Sequence, residues 1–201
     1  MKKKELEILL EKVEDIKEPD ADKEQYSTPA TVASELLHFA FMNGDIENRV
    51  VYDLGSGNGI LGIGAKLLGA KEVVGIERDG KAIEVAQTNS KRLGVKVEFR
   101  KCDVREVEGK GDTVVMNPPF GAQRKNRYAD RIFLEKAFEV APVVYSIHNA
   151  GSESFLKSFI PANAITHHFP VAFPLKRRFW FHKKEKKFIG VDIYRMERRG
   201  G

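Results

Sequence analysis

The most informative stretch of the chain is the tetrapeptide Asn117-Pro118-Pro119-Phe120, which follows the apolar run Thr113–Met116. Because a proline has no backbone N–H, the carbonyls of this turn are free to accept hydrogen bonds from another group. We expect the Asn117 side-chain oxygen and the Pro118 carbonyl to accept from an amino group, which favours the pyramidal nitrogen that develops during attack. Phe120 is expected to stack on a planar base. The tetrapeptide therefore predicts group transfer to an exocyclic nitrogen; the alternative is a stiffened turn with a buried Phe.

A second chemical signal is the glycine loop, which runs from Asp53 to Gly59 and also contains Gly55 and Gly57. Glycines let the backbone adopt positive φ and approach a ligand closely, and the helix that follows offers free N–H groups. A dinucleotide site uses G-x-G-x-x-G to hold a pyrophosphate, whereas the carboxylate of Asp53 would repel phosphate. The loop therefore predicts a nucleotide-like ligand that is cationic and lacks phosphate.

Two further acids follow the next two predicted strands. Glu77 ends one of them, where a carboxylate can accept two hydrogen bonds from a ribose diol; the alternative is an unpartnered surface acid. Asp103 lies in Lys101-Cys102-Asp103-Val104, where it could accept a bond from an adenine amino group. A simple turn aspartate is the alternative for Asp103, so the spacing alone leaves both interpretations open.

These residues come at the ends of a regular series of strands and helices. The predicted strands are Val50–Leu54, Val73–Glu77, Val95–Arg100 and Thr113–Met116. Helices are predicted between them, over Ile60–Leu68 and Gly80–Leu93. Alternating strands and helices predict βαβ units and a doubly wound, mainly parallel α/β sheet, with ligands beyond the carboxyl ends of the strands.

Flanking segments extend this pattern on both sides. An amphipathic helix is predicted over Met1–Lys17, and a second helix runs to about Met42, with Thr28 as its N-cap and Pro29 at its first position. In the C-terminal part, helices are predicted over Arg131–Glu139 and Ser152–Phe159, with a strand over Val143–Ile147 between them. A hairpin of Ile165–Phe173 and Phe188–Tyr194 follows, with Pro174–Lys187 as its long connection.

Length and composition indicate one folded domain with a short appendage. A hydrophobic content of 42% and a charged content of 31% disfavour disorder, collagen and coiled coil. Cys102 is the only cysteine, which excludes an intramolecular disulfide, gives no cysteine zinc site, and fits a reducing cytoplasmic compartment. We expect no metal and no membrane span, because no apolar stretch approaches about 18 residues.

Positive charge is concentrated near the C-terminus. The segment Lys176–Arg199 contains ten Lys or Arg and three acids, which gives it a net charge of +7. The whole chain has a net charge of +5, so the other residues together carry −2. Cations interleaved with aromatics are typical of surfaces that bind single-stranded or looped RNA; a solvated hairpin edge is the alternative. A basic loop that follows the tetrapeptide has the same two interpretations. The candidate RNA-binding residues are Arg124, Lys125, Arg127, Arg177, Arg178, Phe181, His182, Lys183 and Lys184.

Together these motifs resemble the class I S-adenosylmethionine-dependent methyltransferases. Their order, with Gln25-Tyr26-x-Thr28-Pro29 ahead of the glycine loop, is similar to the small-subunit ribosomal RNA adenine-N6 methyltransferases, the family of methyltransferase-like protein five and its archaeal relatives. The resemblance implies a Rossmann-like seven-stranded sheet with an N-terminal helical extension. We expect an N-terminal helix and cofactor-covering segment over 1–28 and the methyltransferase domain over 29–201. The resemblance implies catalysis by Asn117, Pro118, Pro119 and Phe120. The residues it implies for the cofactor are Gln25, Tyr26, Thr28, Asp53, Gly55, Gly57, Asn58, Gly59, Glu77, Asp103 and Val104.

The same chemistry leaves several functions open. The tetrapeptide would serve equally in a guanine-N2 RNA methyltransferase or in a glutamine-N5 protein methyltransferase, which needs no basic tail. A non-enzyme alternative is an RNA-binding subunit that has lost catalysis. Eukaryotic members of the family work with a small zinc-binding activator of the Trm112 type, and the sequence leaves open whether this chain needs one.

Overall fold

The computed structural model describes residues 1–16, 27–119, 129–175 and 187–198. The helices within these ranges are α1 (Lys3–Leu10), α2 (Ala30–Met42), α3 (Ile60–Leu67), α4 (Gly80–Arg92), α5 (Ala129–Val140) and α6 (Glu153–Lys157). The strands are β1 (Val50–Leu54), β2 (Glu72–Glu77), β3 (Glu98–Lys101), β4 (Thr113–Met116), β5 (Val143–Asn149), β6 (Ile165–Leu175) and β7 (Lys187–Glu197).

The strands form one seven-stranded sheet in the order β3-β2-β1-β4-β5-β7-β6. Strands β1 to β5 are parallel, and β7 runs antiparallel to both β5 and β6. The strand order reverses between β1 and β4, and a crevice outside the carboxyl ends of the strands is expected at such a switch point. The predicted doubly wound, mainly parallel α/β fold is confirmed.

Two buried clusters cover the faces of the sheet. One joins α1, α2 and α3 to the sheet, and the other joins α5 to β4, β5 and β7. An isolated helix as short as α1 is marginal in water, so its stability comes from packing. Leu6 and Leu10 of α1 are fully buried, at about 1.5–3 kcal/mol for each side chain. A Cβ at Gly64 of α3 would overlap the Leu37 side chain of α2, so the glycine allows these two helices to pack closely.

Several predicted boundaries were wrong for reasons of tertiary contact. Helix α1 ends at Leu10 rather than Lys17, because the backbone of Glu14 bonds to a side chain of α4 instead of continuing the helix. Strand β3 begins at Glu98 rather than Val95, since both backbone groups of Val95 bond to Ser90 at the end of α4. Both strands of the hairpin are longer than predicted.

The start of α2 also differs from the prediction. Pro29 occupies the N-cap position with an extended backbone, and the first helical residue is Ala30. Thr28 therefore does not cap the helix, and its hydroxyl is available for another partner.

Candidate functional site

A pocket opens at the carboxyl edge of the sheet, where β1, β2 and β4 end. The predicted site residues that line it are Thr28, Asp53, Gly55, Gly57, Asn58, Glu77, Asp103, Val104, Asn117 and Pro119. The parallel pairing of β1 with both β2 and β4 brings these chain segments together. Side chains from the ends of three strands thus share one cavity, at the edge where the alternating strands and helices predict ligands.

The glycine loop turns sharply between β1 and α3 and passes close to its neighbours. Gly55, Gly57 and Gly59 all have positive φ, and Gly59 caps α3 in the left-handed conformation. A Cβ at Gly55 would lie 2.9 Å from the Phe133 ring. The loop therefore requires glycine both for its backbone conformation and for its packing.

Asp53 carries an unsatisfied carboxylate oxygen in this pocket. Its Oδ2 accepts a hydrogen bond from the Gly62 N–H at 2.8 Å, whereas Oδ1 is buried and has no partner among the described residues. Burial raises the pKa of Asp53 to about 7; the Gly62 N–H opposes this, and the charge of Glu77 adds to it. A cationic ligand would remove this electrostatic penalty, because an opposite charge favours the ionised carboxylate.

Glu77 connects the end of β2 to the glycine loop. Its Oε2 accepts from the Gly57 N–H at 3.0 Å, and its Oε1 accepts from the Asp79 N–H at 2.9 Å. Each carboxylate oxygen keeps a further lone pair, so the side chain still has capacity for the predicted ribose diol. Its contact with the glycine loop was not predicted.

Asp103 is held by its own turn. It accepts from the backbone and the guanidinium of Arg105, at 3.0 and 2.8 Å, and caps a short 3-10 turn over Val104–Glu106. The hydrogen bond from the Arg105 side chain is the main reason that the pKa of Asp103 falls to about 2. The turn interpretation of this aspartate is therefore confirmed, while its predicted contact with adenine stays a prediction.

Asn117 is oriented by a partner from the N-terminal part of the chain. Its Nδ2 donates to the Thr28 hydroxyl oxygen at 2.9 Å, and its Oδ1 is buried without a partner among the described residues. Pro118 is buried and Pro119 lines the pocket. The tetrapeptide thus presents a free, buried acceptor beside the glycine loop, as required for an amine N–H.

Other pocket residues carried no signal in the sequence. Phe133 of α5 lies against Gly55, and Ile16 and Ser27 contribute to the lining from either side of residues 17–26. Asn89 of α4 donates to the carbonyls of Glu14 and Asn58, each at 3.0 Å, which ties the N-terminal segment to the glycine loop. A lone apolar or amide side chain has no recognisable spacing, so these roles depend on the fold.

Some predicted site residues lie outside the described residues. These are Gln25, Tyr26, Phe120, Arg124, Lys125, Arg127, Arg177, Arg178, Phe181, His182, Lys183 and Lys184. In the described ranges, no three His, Cys, Asp or Glu side chains are grouped so that they could hold a metal ion. None of the helices in the same ranges is both long and apolar enough to cross a membrane.

The donor and acceptor set of the pocket fits a sulfonium nucleoside. Asp53 has an oxygen without a partner among the described residues, which suits a cation, Glu77 has acceptor capacity for hydroxyls, and Asp103 lines the same pocket. Asn117 adds a further acceptor to this pocket.

Comparison with known proteins agrees with this geometry. Residues 29–141 match the model of the methyltransferase small domain family. The rRNA N(6)-adenosine-methyltransferase Mettl5 of Drosophila melanogaster is 34% identical over 98% of this chain and 97% of its own length. Its counterpart in Danio rerio is 35% identical over 97% and 98%. A crystal structure from Pyrococcus horikoshii has a TM-score of 0.86 and 45% identity, covering 98% of both chains.

Proposed function

Since this chain belongs to the methyltransferase small domain family, we propose that it transfers a methyl group from S-adenosylmethionine to the N6 amine of an adenosine in small-subunit ribosomal RNA. The observation that carries the proposal is the buried, partnerless Oδ1 of Asn117 in the pocket that also contains Asp53 and the glycine loop. The two animal relatives named as rRNA N(6)-adenosine-methyltransferases support the choice of adenine N6 and of rRNA.

The residues of the pocket divide the work between cofactor and substrate. S-adenosylmethionine supplies an electrophilic methyl group on a sulfonium cation. Asp53 provides the negative charge that favours a cation, and Glu77 provides acceptor oxygens for the ribose hydroxyls. Gln25, Tyr26, Thr28, Asp103 and Val104 complete the proposed cofactor contacts, with Asp103 assigned to the adenine amino group.

Asn117 acts on the substrate amine. The lone pair of an exocyclic adenine nitrogen is delocalised into the ring, which makes the nitrogen a poor nucleophile. Asn117 Oδ1 and the Pro118 carbonyl would accept from its two N–H bonds and stabilise the pyramidal nitrogen more strongly than the planar one. The amine becomes acidic once methylated and then loses a proton, so the reaction needs no strong base. Phe120 is assigned to stack on the turned-out base.

The hairpin supports an RNA substrate by its position. Asn149 at the carboxyl end of β5 pairs with Val191, so β7 begins and β6 ends at the edge that carries Asn117. The basic and aromatic residues 176–186 join the sheet at that edge, through Leu175 and Lys187. Phe188 lies at the same end of β7 and is 56% exposed, which makes it available for stacking on a base.

Transfer of labelled methyl to small-subunit ribosomal RNA, followed by digestion to nucleosides and mass spectrometry, tests the proposal. The assay is run with and without a small zinc-binding Trm112-type protein, which determines whether an activator is needed. N6-methyladenosine is the expected product. N2-methylguanosine would show that the acceptor is guanine N2. Labelled glutamine in a protein would show that the substrate is a protein and not RNA. Failure to bind S-adenosylmethionine would favour an RNA-binding subunit without catalysis.

The lone Cys102 fits the cytoplasm as the compartment of the reaction.

A further inference from the structure

Thr28 contacts the side chain at the centre of the proposed chemistry. Its Oγ1 accepts a hydrogen bond from Nδ2 of Asn117 at 2.9 Å, and the Thr28 residue is only 7% exposed. Because Pro29 occupies the N-cap of α2 and no side chain caps that helix, the Thr28 hydroxyl does not cap α2. Its partner comes instead from the loop after β4, 89 residues further along the chain.

This contact uses the donor end of the Asn117 amide and leaves its acceptor end toward the pocket. A side-chain amide has a donor end and an acceptor end on opposite sides of one carbon. With Nδ2 bonded to Thr28, Oδ1 is the end left without a partner among the described residues. An amide turned by 180° would present N–H groups to the N–H bonds of a substrate amine, and two donors cannot bond to each other.

A buried acceptor that stays unsatisfied costs about 1–3 kcal/mol, so Oδ1 strongly favours a donor such as an N–H group. Such groups are rare in folded proteins and call for a specific explanation. The proposed substrate amine supplies one, since its N–H would satisfy Oδ1. The arrangement thus favours a ligand that brings an N–H group to this oxygen.

We propose that Thr28 is a positioning residue for methyl transfer, which holds the Asn117 amide with its oxygen toward the acceptor amine. The proposal rests on the proposed role of Asn117 and extends it to a residue of another chain segment. It applies equally to any planar nitrogen that this pocket methylates, because each such acceptor offers N–H bonds to the same oxygen.

Replacement of Thr28 by Val and by Ser separates positioning from packing. Val has nearly the shape of Thr but no acceptor, whereas Ser keeps the hydroxyl and loses only the methyl. Loss of one hydrogen bond corresponds to about a tenfold fall in the single-turnover rate for Thr28→Val at saturating cofactor. Thr28→Ser should stay within about threefold of the wild-type rate. Because the rate is read at saturating cofactor, any change in the Kd for S-adenosylmethionine from the proposed cofactor contact of Thr28 is measured separately. Thr88→Val is the matched control, because the Thr88 hydroxyl bonds only to its own helix, at the Glu84 carbonyl.

An unchanged rate in Thr28→Val would overturn the proposal, as would equal losses in the Val and Ser variants. A loss confined to the Kd for S-adenosylmethionine would overturn it too, because Thr28 would then contribute to cofactor binding alone. The side-chain amide signals of Asn117 in a nitrogen–proton correlation spectrum give a readout that requires no RNA. Thr28→Val should shift the Nδ2 proton signals and speed the exchange of these protons with water, and Thr28→Ser should not.

The product that the wild type forms tests the proposed function separately. If the acceptor is another planar nitrogen, the rates of the same two variants are compared with that acceptor.

Discussion

The side-chain amide of Asn89 pairs with both backbone groups of Glu14, which lies 75 residues earlier in the chain. Asn89 Oδ1 accepts from the Glu14 N–H at 2.9 Å, and Nδ2 donates to the Glu14 carbonyl at 3.0 Å. The same Nδ2 also donates to the carbonyl of Asn58 in the glycine loop. One fully buried side chain therefore joins the segment before Ile16 to the cofactor pocket.

Replacing Asn89 with Ala should weaken cofactor binding. The change removes three hydrogen bonds worth about 1 kcal/mol each and releases the segment that brings Ile16 to the pocket. We expect the Kd for S-adenosylmethionine to rise about tenfold in calorimetry. The amide proton of Glu14 should also lose its protection from hydrogen exchange.

Ser90→Ala provides the matched control for this prediction. Ser90 lies on the same helix and its hydroxyl bonds to the Val95 carbonyl at 2.6 Å, away from the N-terminal segment. The control should lose stability but keep its affinity for the cofactor. Equal affinities in the two variants would show that the N-terminal segment has no part in the site.

Asp53 predicts a pH dependence of both stability and binding. Its pKa is about 7 in the folded protein against an ordinary value of 3.8, so the folded state binds more protons between about pH 4 and 7. The free energy of unfolding without cofactor should therefore fall as the pH rises through this range, by up to about 1.4 kcal/mol per pH unit from this group. A cationic cofactor favours the ionised carboxylate, so its affinity should weaken as the pH falls below about 7.

Urea unfolding at several pH values, with Asp53→Asn as the comparison, measures the first effect. His148 contributes in the opposite direction, since burial lowers its pKa to about 4 and protonation below its ordinary 6.5 favours unfolding. The difference between wild type and variant isolates Asp53, because His148 is present in both. If that difference is constant from pH 5 to 8, the carboxyl does not titrate as stated.

Phe188 tests the position of the RNA. We expect Phe188→Ala to weaken binding of ribosomal RNA about tenfold, since stacking on one base is worth about 1–3 kcal/mol, and Phe188→Trp to retain it. Met42→Ala is the control: Met42 is 69% exposed at the end of α2, which leads to the amino end of β1 at the opposite edge of the sheet. Filter binding at fixed salt measures both. Equal affinities for the Phe188→Ala and Met42→Ala variants would place the RNA elsewhere.

The strands that frame the site could be predicted from sequence because their signal is local. Strands β1 and β4 have the predicted bounds, since each is a short buried apolar run followed by glycine or proline. Where the prediction was wrong, a distant partner determined the outcome. Asn89 binds the backbone that would have continued α1, and Ser90 binds both backbone groups of Val95.

The positions of the acids and the amide could also be predicted from local signals, but their hydrogen-bond partners could not. Asp53 and Glu77 lie at the carboxyl ends of β1 and β2, and Asn117 follows β4, and these strand ends meet at one edge. That Thr28 would bond to Asn117 rather than cap α2 depends on how two distant segments pack. No periodicity marks such a pair, and the same holds for Phe133 against Gly55.

The most direct test of the account is the single-turnover rate of methyl transfer to ribosomal RNA by Asn117→Ala, measured beside its affinity for S-adenosylmethionine. Asn149→Ala is the control, because Asn149 is exposed at the end of β5 on the same edge. We predict that Asn117→Ala loses at least about 100-fold in rate while its Kd changes by less than about threefold, and that Asn149→Ala matches the wild type. A wild-type rate in Asn117→Ala, or a loss explained entirely by weaker cofactor binding, would contradict the central claim that the Asn117 oxygen accepts from the amine.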